Sequence, residues 1–303
     1  MGCAMSSIRR VVANVVDSPL LSVEDLHVTY HTPTGPVLAV KGVSFELGRE
    51  KLGIVGESGS GKSQTGRAIL GLTAPGGEVR ARRLEFQDTD LLRADKRTMR
   101  RIRGGGISMI MQDPKYSLNP VMTVGKQIEE AFLVHSNDSK PEARRRTLEM
   151  LRAVQIREPE RVYRAYPHEV SGGMGQRIMI AMMMIPEPSI IIADEPTSAL
   201  DVTVQLQVLA VLDDMISERG MGLIFISHDL NLIASFCDRI LIMYGGQVME
   251  ECRADELAQA KHPYTRGLLN CLPRLDGGQD GSQDELAVLR RDPAWLETRE
   301  KMS

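Results

Sequence analysis

Apolar and polar positions roughly alternate over residues 20–30, with Leu21, Val23, Leu26, Val28 and Tyr30 on the apolar side. That period of two predicts a strand. Two prolines and a glycine follow in 31–36, the composition of a turn. Residues 37–47 predict a second strand that ends at Gly48. A short apolar run at 52–55 stops at Gly56, and helical character begins at 63, so the local order is strand, glycine loop, helix. Residues 84–122 are mixed. Residues 123–154 predict mostly helix with a break near 136–141, where Ser139 and the charged stretch 142–146 suit a helix start and its first turn. A methionine-rich helix is expected over 176–185. The unbroken apolar runs 190–193 and 222–226 each end in polar clusters, as buried parallel strands do, and a helix over 202–217 should join them. Residues 239–243 and 247–251 predict a hairpin around Gly245-Gly246. After Arg274 the composition turns to Asp, Gly, Gln and Ser, and little fixed structure is expected before a helical stretch at 284–291. No motif repeats along the chain.

Composition narrows the function classes. The 303 residues suit one large domain, or a domain with an appendage, and 42% hydrophobic residues can bury a sizeable core. A net charge of -3 and 4% aromatic residues give neither a basic field nor a stacking surface for nucleic acid. No apolar run approaches the ~20 residues that span a bilayer, so the chain is not expected to form a membrane pore itself. The four cysteines, Cys3, Cys237, Cys252 and Cys271, show no CxxC or metal spacing and read as thiols of a reducing cytosol. Met1-Gly2-Cys3-Ala4-Met5-Ser6 fits the loose myristoylation pattern, read here as a chance match with Met5 as an alternative start. Residues 11–16 are too short for a signal peptide.

Gly56-Glu57-Ser58-Gly59-Ser60-Gly61-Lys62-Ser63 fits the P-loop pattern, and Gln64 continues it into the helix. The glycines let successive amides point inward at phosphate, and the helix adds its positive end. Lys62 is expected to reach the β- and γ-phosphates, and Ser63 to offer its hydroxyl to Mg²⁺. The strand predicted at 190–193 ends at Asp194, a carboxylate placed as a Walker B aspartate facing the metal. Glu195 follows as a candidate general base for water.

Val170-Ser171-Gly172-Gly173-Met174-Gly175-Gln176-Arg177 then precedes that aspartate and leads into a helix. It resembles the signature of ABC ATPases, and Ser171 with the amides of Gly172 and Gly173 can bind a γ-phosphate at a helix N-terminus. The resemblance covers roughly residues 20–272. It implies that Ser171, Gly172, Gly173 and Gln176 meet the ATP of a partner subunit. Gln112 resembles the Q-loop glutamine, which touches Mg²⁺ and the attacking water. Ser198-Ala199-Leu200-Asp201 resembles the D-loop at the dimer seam, where Ser198 and Asp201 would sit. His228 in Ser227-His228-Asp229 resembles the switch histidine, and Tyr30 the aromatic platform under adenine. Three segments resemble the oligopeptide/dipeptide/nickel importer ATPases: Gln112-Asp113-Pro114-Lys115-Tyr116-Ser117-Leu118-Asn119-Pro120, Tyr166-Pro167-His168-Glu169, and His262-Pro263-Tyr264-Thr265-Arg266-Gly267-Leu268-Leu269. Two departures are that Gly175 stands where this branch carries a large basic residue, and that only Cys271 follows Cys252, so no iron–sulfur cluster is expected.

The resemblance implies an α/β fold: a P-loop NTPase (RecA-like) core, an ABC β-subdomain and a helical signature subdomain at about 113–185. The ATPase domain would span 20–251, between an N-terminal segment 1–19 and a C-terminal extension 252–303 that loosens after about 274. The implied function is ATP hydrolysis powering uptake of peptides or related solutes such as a nickel chelate or opine, with ATP and Mg²⁺ as cofactors. The implied partners are a second ATPase subunit, identical or homologous, two transmembrane permeases and an extracytoplasmic solute-binding protein, at the cytoplasmic face of the bacterial inner membrane. Export, or a soluble role without a transporter, are the alternatives. The methionines Met179, Met182, Met183 and Met184 are expected in the core, the clusters Arg100–Arg103 and Arg144–Arg146 on a solvated face, and His168 and His262 in structural or surface roles.

Overall fold

The computed structural model describes residues 18–112, 117–198 and 200–271. The N-terminal lipidation pattern, residues 113–116 of the Q-loop segment, Ala199 of the D-loop and the tail after 271 lie outside the described residues.

Eleven strands among the described residues form two sheets. β1 (Leu21–Thr32) and β2 (Gly35–Leu47) pair antiparallel, and β4 (Gly77–Arg80), β5 (Arg83–Phe86) and β6 (Thr89–Asp90) complete a five-stranded sheet. The alternation read in β1 becomes its buried face: Leu21, Val23, Leu26 and Val28 are all at most 3% exposed. The second sheet has the order β11-β10-β3-β9-β8-β7, built from β3 (Lys51–Val55), β7 (Ile107–Ile110), β8 (Ile190–Asp194), β9 (Gly222–Ser227), β10 (Arg239–Tyr244) and β11 (Gln247–Arg253). All its pairs are parallel except the β10–β11 hairpin.

β8 and β9 are buried at every position, because each face of the parallel sheet carries a core of its own. Ile191, Ala193, Leu223 and Phe225 join the core beneath the helical region. Ile190, Ile192, Ile224 and Ile226, their pleat neighbours, join the core under β1 and β2. The helix Lys62–Ile69 contributes Ala68 and Ile69, at its C-terminal end, to this second core, which anchors the helix between the sheets.

Between β7 and β8 the described chain is helical: Val124–Leu133, Lys140–Ala153, Pro159–Arg164 and Gly172–Met184. Ser139 caps the second, its hydroxyl accepting from the Glu142 amide at 3.4 Å. Met179 and Met184 are wholly buried and Met182 and Met183 pack against the same core, as their helical spacing predicts. The helix Val202–Arg219 starts on Asp201, which accepts from the Val204 amide at 3.0 Å, and stops at Gly220 with φ 57°.

The mixed stretch 84–122 hid the helix Lys96–Gly105. Its signals were present: Asp95 as cap, accepting from the Thr98 amide at 2.7 Å, and Met99 and Ile102 three apart on the buried face. The two arginine clusters, one in this helix and one in the helix Lys140–Ala153, do not share one role. Arg103 folds back and donates to the carbonyls of Leu70 and Gly71 at 2.8 and 3.0 Å, satisfying the C-terminal end of the helix Lys62–Ile69. Arg144 lies 5.3 Å from the centre of the Tyr163 ring, and Arg145 pairs with Glu142 and Glu149.

Candidate nucleotide site

The site is assembled where β3, β8 and β9 end on one edge of the parallel sheet, the edge at which α/β folds place ligands. The loop leaving β3 is shaped by glycine. Gly61 precedes the helix at φ 97° and a Cβ there would lie 2.5 Å from the Ala39 carbonyl oxygen, so only glycine fits. Within the loop the Ser60 amide donates to the Glu57 carbonyl at 3.1 Å.

Lys62, the first helical residue, is 5% exposed. Its ammonium donates to the carbonyls of Gly56 at 2.7 Å and Glu57 at 2.8 Å. Burial pulls its pKa below the usual lysine value, and the nearby carboxylates of Glu195, Asp194 and Glu57 oppose that. A cation held dry beside the loop is prepared for an anionic group.

Ser63 donates from its hydroxyl to Asp194 Oδ1 at 2.7 Å. Asp194 is 3% exposed at the last position of β8. Burial pushes its carboxyl above the ordinary aspartate range, against the Ser63 hydrogen bond, which lowers it. The next residue leaves the strand through a left-handed conformation: Glu195 has φ 46°, costly for a residue with a Cβ. The turn carries the Glu195 carboxylate away from Asp194 and into a clasp. Gln112 Nε2 donates to its Oε2 at 2.9 Å, and His228 Nδ1 lies 3.2 Å from its Oε1. Gln112 follows β7 and His228 follows β9, the strands on either side of β8. Three predicted residues separated by up to 116 positions therefore meet on one carboxylate.

Tyr30 in β1 donates its hydroxyl to Gln64 Oε1 at 2.5 Å, tying the first sheet to the P-loop helix. Its ring edge lies against Gly77, where a Cβ would come within 2.8 Å. Ser171 caps the helix Gly172–Met184, its hydroxyl accepting from the Met174 amide at 3.4 Å. Ser171 and Gly172 are exposed, and Gly173 abuts the helix Val202–Arg219, with only 2.6 Å between a Cβ there and Val204. Gln176 departs from expectation. It is 1% exposed, because five residues past Ser171, at about 100° per residue, the side chain comes round to the core side of the helix, so it is not on the surface that Ser171 and Gly172 present. Ser198 hydrogen-bonds the Glu195 carbonyl at 3.2 Å, and Asp201 is spent as a helix cap.

Residues 40–198 match the ABC transporter family. The chain is also 48% identical, over 85% of its length and 77% of the relative's, to the oligopeptide transport ATP-binding protein OppD of Escherichia coli (strain K12). The chain belongs to the ABC transporter family. The dipeptide transport ATP-binding protein DppD of Bacillus subtilis (strain 168) is 49% identical over 85% of this chain and 78% of its own. Among solved structures, a dimeric ATP-binding cassette in a post-hydrolysis state bound to ADP and Pi matches with TM-score 0.67 at 28% identity, covering 77% of this chain and 98% of that one. The structure of cbiO1 from Clostridium perfringens, part of the ABC transporter complex cbiONQ, matches with TM-score 0.69 at 25% identity over 84% and 96% of the two chains.

The fold is thus that of an ABC ATPase, and the chain is an ATP-binding, ATP-hydrolysing subunit. Among the described residues no helix is long and apolar enough to cross a membrane. Sequence reasoning overlooked Tyr244 and Gly245, which follow Met243 in β10 and line a cavity of about 180 Å³ with Glu57, Ser58, Gly59 and Ser60. The hairpin glycines were visible; their docking against the P-loop was not.

Proposed function

We propose that this ABC ATPase powers import of peptides or related small solutes, a nickel chelate or opine among them, at the cytoplasmic face of a bacterial inner membrane. The observation that carries the catalytic half is the Glu195 carboxylate held between Gln112 and His228 beside the Ser63–Asp194 pair. The substrate class rests on the relatives' names and on the His262-Pro263-Tyr264-Thr265 segment.

In this reading the P-loop, from Gly56 to Gln64, wraps the phosphates and Tyr30 stacks on adenine. Ser63, Asp194 and Gln112 hold Mg²⁺: their hard oxygens fit it, and Asp194, destabilised by burial, gains most from a cation. The ion supplies charge neutralisation on the β- and γ-phosphates. Glu195 accepts a proton from the attacking water, His228 and Gln112 keep its carboxylate aimed, and Lys62 balances charge on the leaving phosphate.

Two ATPase subunits pair head to tail, so that Ser171, Gly172 and Gly173 of one cover the phosphate of the other. The exposed apolar Val202 and Leu206, at 74% and 61%, flank the D-loop and suit burial in that pairing. The ATPase domain would be residues 20–251, with the C-terminal extension from 252. Two permeases couple to it beside Gln112, and an extracytoplasmic binding protein selects the solute.

The test is affinity purification of the tagged chain from detergent-solubilised membranes. Two multi-spanning permeases and a second ATPase should co-purify. Recovery of soluble partners or ribosomes alone would leave the ATPase chemistry and remove the transport assignment.

A further inference from the structure

The C-terminal helix Pro263–Asn270 carries Tyr264, the bulkiest of the fully buried side chains. Its ring packs on Tyr244, centroids 4.7 Å apart. Its hydroxyl oxygen accepts a hydrogen bond from the Glu57 amide at 3.4 Å, across 207 positions of sequence. That amide belongs to the same peptide unit as the Gly56 carbonyl, which accepts from the Lys62 ammonium at 2.7 Å. The N–H and C=O of a trans peptide point in opposite directions from one rigid plane. One plane of the P-loop is therefore held from one side by the phosphate-binding lysine and from the other by a phenol of the C-terminal segment.

The phenol is itself anchored. His262 Nδ1 accepts from the Tyr264 amide at 3.2 Å. The two carboxylate oxygens of Glu250, in β11, accept from the amides of Lys261 and His262 at 2.7 and 3.2 Å. Burial pushes the Tyr264 hydroxyl up to about 12, so it stays neutral at physiological pH. The loop has no slack on this side, since a Cβ on Gly56 would lie 2.1 Å from the Met243 carbonyl oxygen.

We propose that Tyr264 is a positioning residue for ATP: it fixes the Gly56–Glu57 peptide, and through it the direction of the Lys62 ammonium, so that the segment beyond β11 is a structural part of the nucleotide site. The inference rests on the reading that the P-loop of this chain holds ATP. The resulting order of contacts is Glu250, His262, Tyr264, the Gly56–Glu57 peptide, Lys62.

The decisive variant is Tyr264→Phe in the full chain, which keeps the ring and removes one oxygen. It should raise KM for ATP about 3- to 10-fold, the worth of one neutral hydrogen bond to a part-buried amide, with kcat within about twofold. By hydrogen exchange the Glu57 amide should open faster while β8 and β9 keep their protection. His262→Ala should move KM in the same direction, and adding it to Tyr264→Phe should give less than the product of the two effects. A Tyr264→Phe protein with unchanged KM overturns the proposal. So does one in which exchange accelerates throughout the core and kcat falls with KM, since that is loss of packing alone. A wild-type chain that binds no ATP removes the nucleotide reading, and the proposal with it; that outcome is distinguished by titrating the wild type first.

Discussion

Replacing Glu195 by glutamine separates binding from chemistry at this site. The side chain keeps its length and shape, and the position keeps its φ of 46°, whose cost is the same for either residue. Its contacts adjust rather than vanish: an amide oxygen can still accept from Gln112 Nε2, now 2.9 Å from Oε2, and His228 Nδ1 at 3.2 Å can meet either end of the new group. The local hydrogen-bonding arrangement should therefore survive, and with it the P-loop, none of whose internal bonds involves Glu195. Lys62 loses the carboxylate that most supports its charge, but retains Asp194 and Glu57. ATP affinity should thus stay within about threefold. What disappears is the basic oxygen that takes the proton of water, and general-base assistance is worth about 10²- to 10⁴-fold, or ~3–5 kcal/mol in the barrier. Glu195→Gln should bind ATP and release phosphate at least ~10²-fold more slowly than wild type, measured by equilibrium nucleotide binding beside a phosphate-release assay. Turnover within about threefold of wild type at normal ATP affinity would remove Glu195 as the base, and with it the meaning given to its clasp.

Lys62→Ala, which deletes a charged donor from the loop, should weaken ATP binding ~10- to 100-fold in the same titration; unchanged binding contradicts the phosphate cradle. Asp194→Asn should melt higher than wild type at neutral pH while losing hydrolysis. Burial raises the Asp194 pKa in the folded state, so folding favours its protonated form. That contribution to stability is present below the ordinary aspartate pKa and is lost as pH rises through the raised value. The Tm gain of Asp194→Asn should accordingly be greatest at pH 7 and shrink on acidification, and a gain independent of pH would refute this. Arg103→Ala, which uncovers the Leu70 and Gly71 carbonyls, should lower stability in urea by about 1–2 kcal/mol and leave KM for ATP within about twofold; a loss of ATP affinity without a loss of stability would be the wrong sign.

The elements legible in the sequence were those with an unambiguous period or a mandatory glycine. Residues 190–193 and 222–226, short unbroken apolar runs ending in polar clusters, suited strands buried on both faces, and the structure covers each with a core. The P-loop was legible because Gly61 and its neighbours are required by backbone geometry rather than by packing. Gln112 and His228 were different: nothing in periodicity singles out one glutamine or one histidine, and only the resemblance marked them before the structure set them on Glu195. What escaped was decided by three-dimensional direction. Gln176 shares a motif with Ser171, but the helical pitch turns it inward. Asp201, read as a D-loop residue, also caps its own helix, a contact the motif does not announce. Arg103 looked like one more member of a charged run until the chain folded its head onto the end of another helix.

The same logic accounts for adjacent carboxylates with opposite fates. Had β8 continued in extended form, the pleat would have placed Asp194 and Glu195 on opposite faces of a sheet whose faces are both core. One ionised group in such a core is costly; two would be prohibitive without partners. The chain ends the strand at Asp194, leaves that group buried beside Ser63 and close to Lys62, and uses the left-handed step at Glu195 to bring the second carboxylate to the sheet edge, where Gln112 and His228 reach it from the flanking strands. The strain at Glu195 and the desolvation of Asp194 are two costs of one arrangement, in which a buried carboxylate is kept for a cation and a partly exposed one for a proton. Stability is given up at both positions, which is why substitutions there should separate stability from activity instead of lowering them together.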